Sequence, residues 1–270
     1  MFYDSIVLFS VNYDFKFVEL IIEILPISCF IIAENEEDRI GKAILSVKDF
    51  VEEIIVIDSG SKDDTEMIVK NLNASFIFNE WQGFGPQKRF GEDQCKNDWV
   101  LNIDADEYLS NEIKKEIYKI FNNQHNYNFF SMKITPIYPN WKKPRILSAS
   151  HQCVRLYNKR FGRFSNSPVH DSVETNNSKV FYFKNHIYHN SVRSFKHLIE
   201  KEESYIQLQS KTLKDKNKIF LFLRIFVEFP LAFIKYYFIR RHFTGALTGL
   251  VTSLILAYYR WKRVIVLFKS

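Results

Sequence analysis

The chain has 270 residues, 46% hydrophobic and 25% charged, with a net charge of +6 and a pI near 9.0. That composition excludes a disordered or low-complexity chain, and the length is enough for one α/β core with an appendage. Cys29, Cys95 and Cys153 lie far apart with no Cys-x-x-Cys pair, which argues against a disulfide framework or a zinc knuckle and fits a reducing compartment. The basic balance points to an anionic partner: a nucleotide, a nucleic acid or an anionic lipid surface.

Residues 1–11 carry no Lys or Arg and include Asp4, and the apolar run over 18–32 is broken by Glu19, Glu23 and Pro26, so the start does not read as a secretory signal. Residues 1–25 are expected to form an N-terminal extension without assigned chemistry. Residues 27–33 are a continuous apolar run, the mark of a strand buried on both faces, and the pattern over 40–50 predicts a helix. Strand 54–57, a turn at Asp58-Ser59-Gly60-Ser61 and a helix capped by Asp63 or Asp64 form a second such unit. A strand over 74–78, a helix over 87–95 and a strand over 99–103 follow, with Ser110 as N-cap of a helix reaching 121. Strands and helices alternating at this spacing predict a doubly wound, mainly parallel sheet with helices on both faces.

From about residue 127 short strands over 127–134, 154–158 and 180–189 predict a mixed or antiparallel extension, followed by a polar helix over 194–213. The tail from 219 is dense in Phe, Leu, Ile and Tyr and carries Arg224, Lys235, Arg240, Arg241, Arg260, Lys262 and Arg263. Its stretch 243–259 has no charge over 17 residues, the lower limit for a bilayer span, yet Thr244, Thr248 and Thr252 put a polar stripe on one face. The expectation is helices lying in the membrane interface with basic side chains on anionic head groups, rather than a span. A helical subdomain packed on the core is the alternative.

In doubly wound sheets ligands bind beyond the carboxyl ends of the strands. Asp104-Ala105-Asp106-Glu107 sits at such an end. Three acids there repel one another unless something positive joins them, and a divalent cation with a phosphorylated substrate is one candidate. The alternative is an acidic loop favouring the next helix's N-terminus. Asn35, Glu36 and Asp58 end neighbouring strands and could frame a base, although Asp58 also suits a simple turn-and-cap role. Residues 81–89, Trp-Gln-Gly-Phe-Gly-Pro-Gln-Lys-Arg, offer backbone N–H groups with Lys88 and Arg89 to a diphosphate; the segment matches neither a Walker A loop nor Gly-x-Gly-x-x-Gly.

The order of these motifs resembles family 2 glycosyltransferases of the GT-A fold. Asn35 to Glu37, Ile55 to Ser61, Trp81 to Lys88 and Asp104 to Glu107 carry the resemblance, and the last two are similar to lipopolysaccharide-core glucosyltransferases of the WaaE/KdtX type. Val154-Arg155-Leu156-Tyr157, Pro168-Val169-His170-Asp171 and His189-Asn190-Ser191 are similar to later motifs of that subgroup. The resemblance implies a GT-A domain over 26–192 and a membrane-associating helical region over 193–270, at the cytoplasmic face of the inner membrane. It implies that Asp58 binds the donor base, that Asp104 contacts ribose or metal, and that Asp106 is the principal ligand of Mg²⁺ or Mn²⁺ with His189 completing the site. Asp171, where the subgroup usually has Glu, is the implied proton acceptor, with His170 as its substitute.

The implied partners are a nucleotide-sugar donor, a lipid-linked glycan or lipopolysaccharide-core acceptor and an anionic membrane surface, with no nucleic acid. The implied reaction is inverting transfer of a hexose such as glucose, Lys88 or Arg89 assisting the leaving diphosphate. A polyprenyl phosphate is the alternative acceptor. A metal-dependent nucleotidyltransferase would need a glycine-rich loop that 33–39 lacks, and a membrane-bound scaffold would not bind donor at all.

Overall fold

The computed structural model describes residues 24–168, 171–212 and 218–269; the expected N-terminal extension lies almost wholly outside them. Strand β1 (Leu25–Ala33) is buried along nearly its whole length, as an apolar run covered on both faces must be. It pairs in parallel with β2 (Val51–Asp58) on one side and β4 (Trp99–Asp104) on the other, and β3 (Ser75–Phe78) extends the sheet beyond β2. Past β4 the sheet reverses. β7 (His151–Asn158) runs antiparallel to β4, β6 (Phe129–Pro136) antiparallel to β7, and β8 (Val180–His189) parallel to β6. The short strand β5 (Glu107–Leu109) closes the far edge antiparallel to β8, so the eight strands run in the order 3-2-1-4-7-6-8-5. The mixed extension expected after residue 127 is thus present.

Alternate residues of β1 serve opposite faces. Cys29 and Ile31 join Ile40 and Ile44 of α1 (Ile40–Val47), Val69 of α2 (Thr65–Asn71) and Ile113 and Ile117 of α4 (Asn111–Phe121). Phe30 and Ile32 pack on the other face with Phe90 of α3 (Phe84–Gln94), together with Tyr157 and Phe164. Of the two candidate caps for α2, Asp63 does the work: its Oδ1 accepts from the Thr65 N–H at 3.1 Å, while Asp64 makes no side-chain cap bond. Ser110 caps α4 as expected, accepting from the Ile113 N–H at 3.3 Å.

The last third is helical: α5 (Phe195–Thr212), α6 (Lys218–Ile234), a π turn at Lys235–Ile239, a 3₁₀ turn at His242–Gly245 and α7 (Ala246–Lys269). Buried Glu228 ties α6 to α7, accepting from Arg224 at 2.6 Å and from Arg260 at 2.5 Å, and Lys262 reaches Glu203 of α5 at 2.6 Å. A carboxylate in that position needs its cations, because burying it alone would be costly.

The charge-free stretch 243–259 packs one face inward, with Gly249, Thr252, Ser253, Ala257 and Tyr259 buried. Of its threonines, Thr252 is buried and the Thr244 hydroxyl donates to the Ile146 carbonyl at 2.7 Å. A Cβ added at Gly249 would lie 1.8 Å from the His242 carbonyl oxygen, which fixes how closely α7 approaches that turn. A long row of exposed apolar side chains runs along α6 instead. There Phe220, Leu223, Val227, Leu231 and Ile234, continued by Phe238 of the π turn, recur at helical spacing and are all exposed. Among the described residues no helix is long and apolar enough to cross a membrane.

His242 connects the two regions, its Nδ1 lying 2.9 Å from the Tyr138 hydroxyl. Burial first, then the nearby Arg145 and Arg240, holds its pKa down from 6.5 to about 4. A depressed folded pKa gives stability that is present above the unfolded value and lost as pH falls through the folded one. Stability is therefore expected to drop between pH 6.5 and about 4, and His242→Gln to show a shallower acid limb; equal slopes in urea titrations across that window would refute this role.

Candidate active site

The carboxyl ends of β1, β2 and β4 open into a cavity of about 390 Å³ lined by Ala33, Glu36, Ser59, Asp104, Asp106 and His189, with Trp81 and Phe84 forming an aromatic wall. At its floor the acidic loop meets cations from four other elements. Asp104 Oδ1 lies 2.8 Å from the Lys88 ammonium and Oδ2 lies 2.9 Å from Arg155. Arg155, itself buried, also binds Glu107 at 2.7 Å and the Asn102 side-chain oxygen at 2.6 Å. Asp106 Oδ2 is 3.2 Å from His189 Nε2 and 3.5 Å from Arg39. Arg39 in turn clasps Glu36 through two bonds of 2.5 and 2.6 Å. The repulsion expected among these acids is thus answered by the protein's own side chains.

These contacts set the charge states. Burial alone would raise the Asp104 carboxyl, but Arg155 and Lys88 outweigh it and hold it well below the usual carboxylate range. Burial likewise opposes Asp106, and the hydrogen bond and charge of His189, with help from Arg39, bring it below its ordinary value. His189 moves upward: desolvation acts against it, yet Asp106, Glu107 and Asp104 together favour the imidazolium. Glu107 is raised, burial and neighbouring Asp104 prevailing over Arg155.

Strand β5 is what brings His189 here. Residues 107–109 are too few to show alternation in the sequence, but their pairing sets Glu107 opposite His189 and places the Asn190 N–H 2.8 Å from the Asp106 carbonyl. Asp171 arrives by a different route. Phe164 and Val173 form an antiparallel bridge, and Glu92 of α3 anchors the loop by accepting from the Phe164 N–H at 2.8 Å, the Arg163 Nε at 2.8 Å and the Tyr157 hydroxyl. The loop then delivers Asp171 Oδ2 to 2.6 Å from Lys88.

The start of α3 departs from expectation. The N–H groups of Phe84 and Gly85 donate to the carbonyls of Pro168 and Ser167 at 3.0 and 3.1 Å, so they are not free to cradle a diphosphate. Gly83 (φ 122°) and Gly85 are needed for that contact, since a Cβ at residue 85 would sit 2.3 Å from the Ser165 carbonyl oxygen. Arg89 points away from the cavity and donates to the Phe164 carbonyl at 2.8 Å. Asp58 is buried beneath the rim, with Oδ1 accepting from Gly60 and Ser61 N–H at 2.7 Å each and Oδ2 from the Ser61 hydroxyl. The Asn35 side-chain oxygen accepts from the Lys62 N–H at 2.9 Å, tying two loops together. His170 lies outside the described residues.

Sequence reasoning missed Arg39 as the partner of Glu36 and Asp106, and the aromatic wall. Trp81 and Phe84 are edge-to-face with ring centroids 4.9 Å apart and partly exposed; two large aromatics beside paired glycines were the available signal. Among the described residues no three His, Cys, Asp or Glu side chains are arranged to hold a metal ion. Asp104 Oδ2 accepts from Arg155, while its buried Oδ1 lies 2.8 Å from the Lys88 ammonium without a hydrogen bond. Asp106 and His189 nonetheless form a carboxylate–imidazole pair facing the cavity, which suits Mg²⁺ or Mn²⁺, ions that take few protein ligands and complete their shell with water and substrate phosphates.

The chain belongs to glycosyl transferase family 2, whose model matches residues 28–194. The protein is a glycosyltransferase with the GT-A arrangement and a C-terminal helical region. An uncharacterized glycosyltransferase of Rickettsia typhi is 42% identical over 248 residues, covering 88% of this chain and 85% of that protein. The lipopolysaccharide core biosynthesis glycosyltransferase LpsC of Rhizobium meliloti is 26% identical over 241 residues, 87% of this chain and 89% of its own. Among solved structures, S. aureus TarS 1-349 superposes with a TM-score of 0.46 at 16% identity, covering 83% of this chain and 73% of that one.

Removing one member of a buried charged cluster leaves the others uncompensated, at a cost of about 3–5 kcal/mol. Arg155→Met is therefore expected to destabilise strongly in denaturant titrations, and adding Glu107→Gln to recover part of the loss. A single variant as stable as the parent would show that Arg155 does not hold this cluster.

Proposed function

We propose that this glycosyltransferase moves a hexose from a nucleotide-sugar donor, with inversion, to a lipid-linked or lipopolysaccharide-core acceptor. The kinship with LpsC supports the acceptor class. One observation carries the chemistry: the buried Lys88 ammonium spans Asp104 at 2.8 Å and Asp171 at 2.6 Å, so it joins a candidate proton acceptor to the acidic floor of the cavity.

In this reading the acceptor hydroxyl gives its proton to Asp171 as its oxygen attacks the anomeric carbon and the nucleoside diphosphate departs from the opposite side. Lys88 holds Asp171 Oδ2, which orients the carboxylate toward the acceptor. Trp81 and Phe84 offer faces to the donor base or sugar, Glu36 and Asp104 border it, and Asp58 with Asn35 keeps the rim loops in shape for it. Asp106 and His189 would hold Mg²⁺ or Mn²⁺, which supplies positive charge for the leaving diphosphate. Lys88 adds charge to the same rim, while Arg89 acts by holding the loop of Phe164.

A thermal-shift panel of nucleotide sugars with and without Mn²⁺ tests class and donor together, since a ligand that binds the native state raises Tm. Asp106→Ala is expected to abolish the metal-dependent shift and transfer. Asp171→Asn is expected to keep the donor shift and lose transfer by roughly 10²–10⁴-fold. Transfer retained in Asp171→Asn would remove it as the proton acceptor.

The division of labour follows the two regions: residues 26–192 carry the transfer site, and 193–270 hold the enzyme peripherally on the cytoplasmic membrane face. Support comes from the exposed apolar row on α6, with exposed Arg240 and Arg241 close by to meet anionic head groups. Leu223→Glu with Leu231→Glu is expected to abolish flotation with vesicles of phosphatidylglycerol and phosphatidylethanolamine while leaving the donor shift unchanged. Undiminished flotation would place the membrane contact elsewhere.

A further inference from the structure

A second cavity, of about 450 Å³, opens where the segment after β6 meets α5 and the C-terminal helices, and His189 lines both this cavity and the one described above. Its walls present Arg145, Arg240 and Lys201 against a single lining carboxylate, Glu202. Arg145 is only 7% exposed, yet its partners are all neutral: the Ser148 hydroxyl at 2.8 Å, the carbonyls of Arg240 and Arg241 at 2.7 and 3.4 Å, and the Tyr138 ring. Burying a guanidinium without a counter-charge is costly. The carbonyls at the end of the helical turn offset part of that cost, but they do not explain why Arg240 and Lys201 add further positive charge to the same walls.

The backbone there is irregular. The wall residues Tyr236 and Arg240 belong to or follow the π turn, and Arg241 (φ 59°) and Ala246 (φ 48°) are in the left-handed region, a strain that persists in proteins chiefly where function requires it. Burial is the main cause of the depressed His242 on this wall, but Arg145 and Arg240 add to it, and their charges would favour an incoming anion. Phe238 and Ile239, between Tyr236 and Arg240 in the chain, are 56% and 70% exposed. One turn and the residue after it therefore present Tyr236 and the Arg240 cation to the cavity and apolar side chains to the outside.

We infer that this second cavity is the acceptor subsite and that it selects acceptors bearing a phosphate group, held by Arg145, Arg240 and Lys201, on a lipid-linked glycan. The inference rests on the glycosyl-transfer reading and adds the substrate's charged feature to it. The acceptor hydroxyl lies at the junction marked by His189, the phosphate at the far wall, and the lipid beside the exposed turn. The phosphate takes no part in the bond exchange; it fixes the acceptor by charge-assisted hydrogen bonds.

The test uses the full chain and three probes: monomeric dihexanoyl phosphatidic acid, dihexanoylglycerol, which lacks the phosphate, and inorganic phosphate, with binding followed by calorimetry. Phosphatidic acid is expected to bind the parent protein more tightly than dihexanoylglycerol, and Arg240→Gln and Lys201→Gln, on accessible side chains, to weaken it roughly tenfold each. Arg145→Gln is expected to weaken it as much provided the variant keeps the parent's Tm. Unchanged affinity in Arg240→Gln and Lys201→Gln, or equal binding of dihexanoylglycerol, overturns the inference. Inorganic phosphate binding as tightly as phosphatidic acid would assign the site to free phosphate and also overturn it. The nucleotide-sugar thermal shift separates the two levels: if it persists while these outcomes fail, the acceptor inference falls alone, and if the parent shows no such shift, the transfer reading falls with it.

Discussion

The Asp104 carboxylate, held between Lys88 and Arg155, is the contact on which the rest of this architecture turns. It ends a buried parallel strand, where hydration is poor and Glu107 follows within three residues. A carboxylate there stays charged only if cations reach it. One comes from α3, on one face of the sheet, and the other from β7, the first strand of the antiparallel half. The pair therefore joins the parallel half to the mixed half and fixes the depth of the cavity between them. Such a cluster adds little net stability over an apolar core of the same shape, but it leaves little freedom in how its members are placed.

Its consequences spread outward through Lys88. The same ammonium holds Asp171, so residues 164–168 and 171–173 must lie close against α3. That closeness is why Gly83 and Gly85 stand at the helix start: the Pro168 and Ser167 carbonyls occupy the space that side chains would fill. On the opposite side, Asp106 reaches His189, and His189 borders the second cavity, whose far wall belongs to the C-terminal helices. Floor, candidate proton acceptor and helical tail are thus linked through a few charged contacts.

Much of the fold was legible in the sequence because its signals are local. The run over 27–33, the alternation of strands with helices and the Ser110 cap each follow from hydrophobic pattern or hydrogen-bonding need within a dozen residues. The acidic loop, Lys88, Asp171 and His189 were legible as candidates for the same reason. Partnerships were not. Arg155 reaches Asp104 across 51 residues and Asp171 reaches Lys88 across 83, distances at which spacing carries no information. The glycines of 81–89 misled for a related cause: a glycine marks a close approach without saying whether a phosphate or another backbone makes it. The tail misled in orientation, since its longest charge-free stretch lies mostly in α7 while a long row of exposed apolar side chains is on α6.

By itself, then, the sequence determined the type and order of the elements, the family resemblance and which side chains could do chemistry, because these depend on periodicity and residue type. The tertiary structure decided how the acidic loop is neutralised. Around Asp104, Asp106 and Glu107, whose mutual repulsion called for a positive partner, folding gathers Lys88, Arg155, Arg39 and His189 from four separate elements. The physical reason is that charge compensation acts through space at a few ångströms, and only the completed sheet brings those groups within reach.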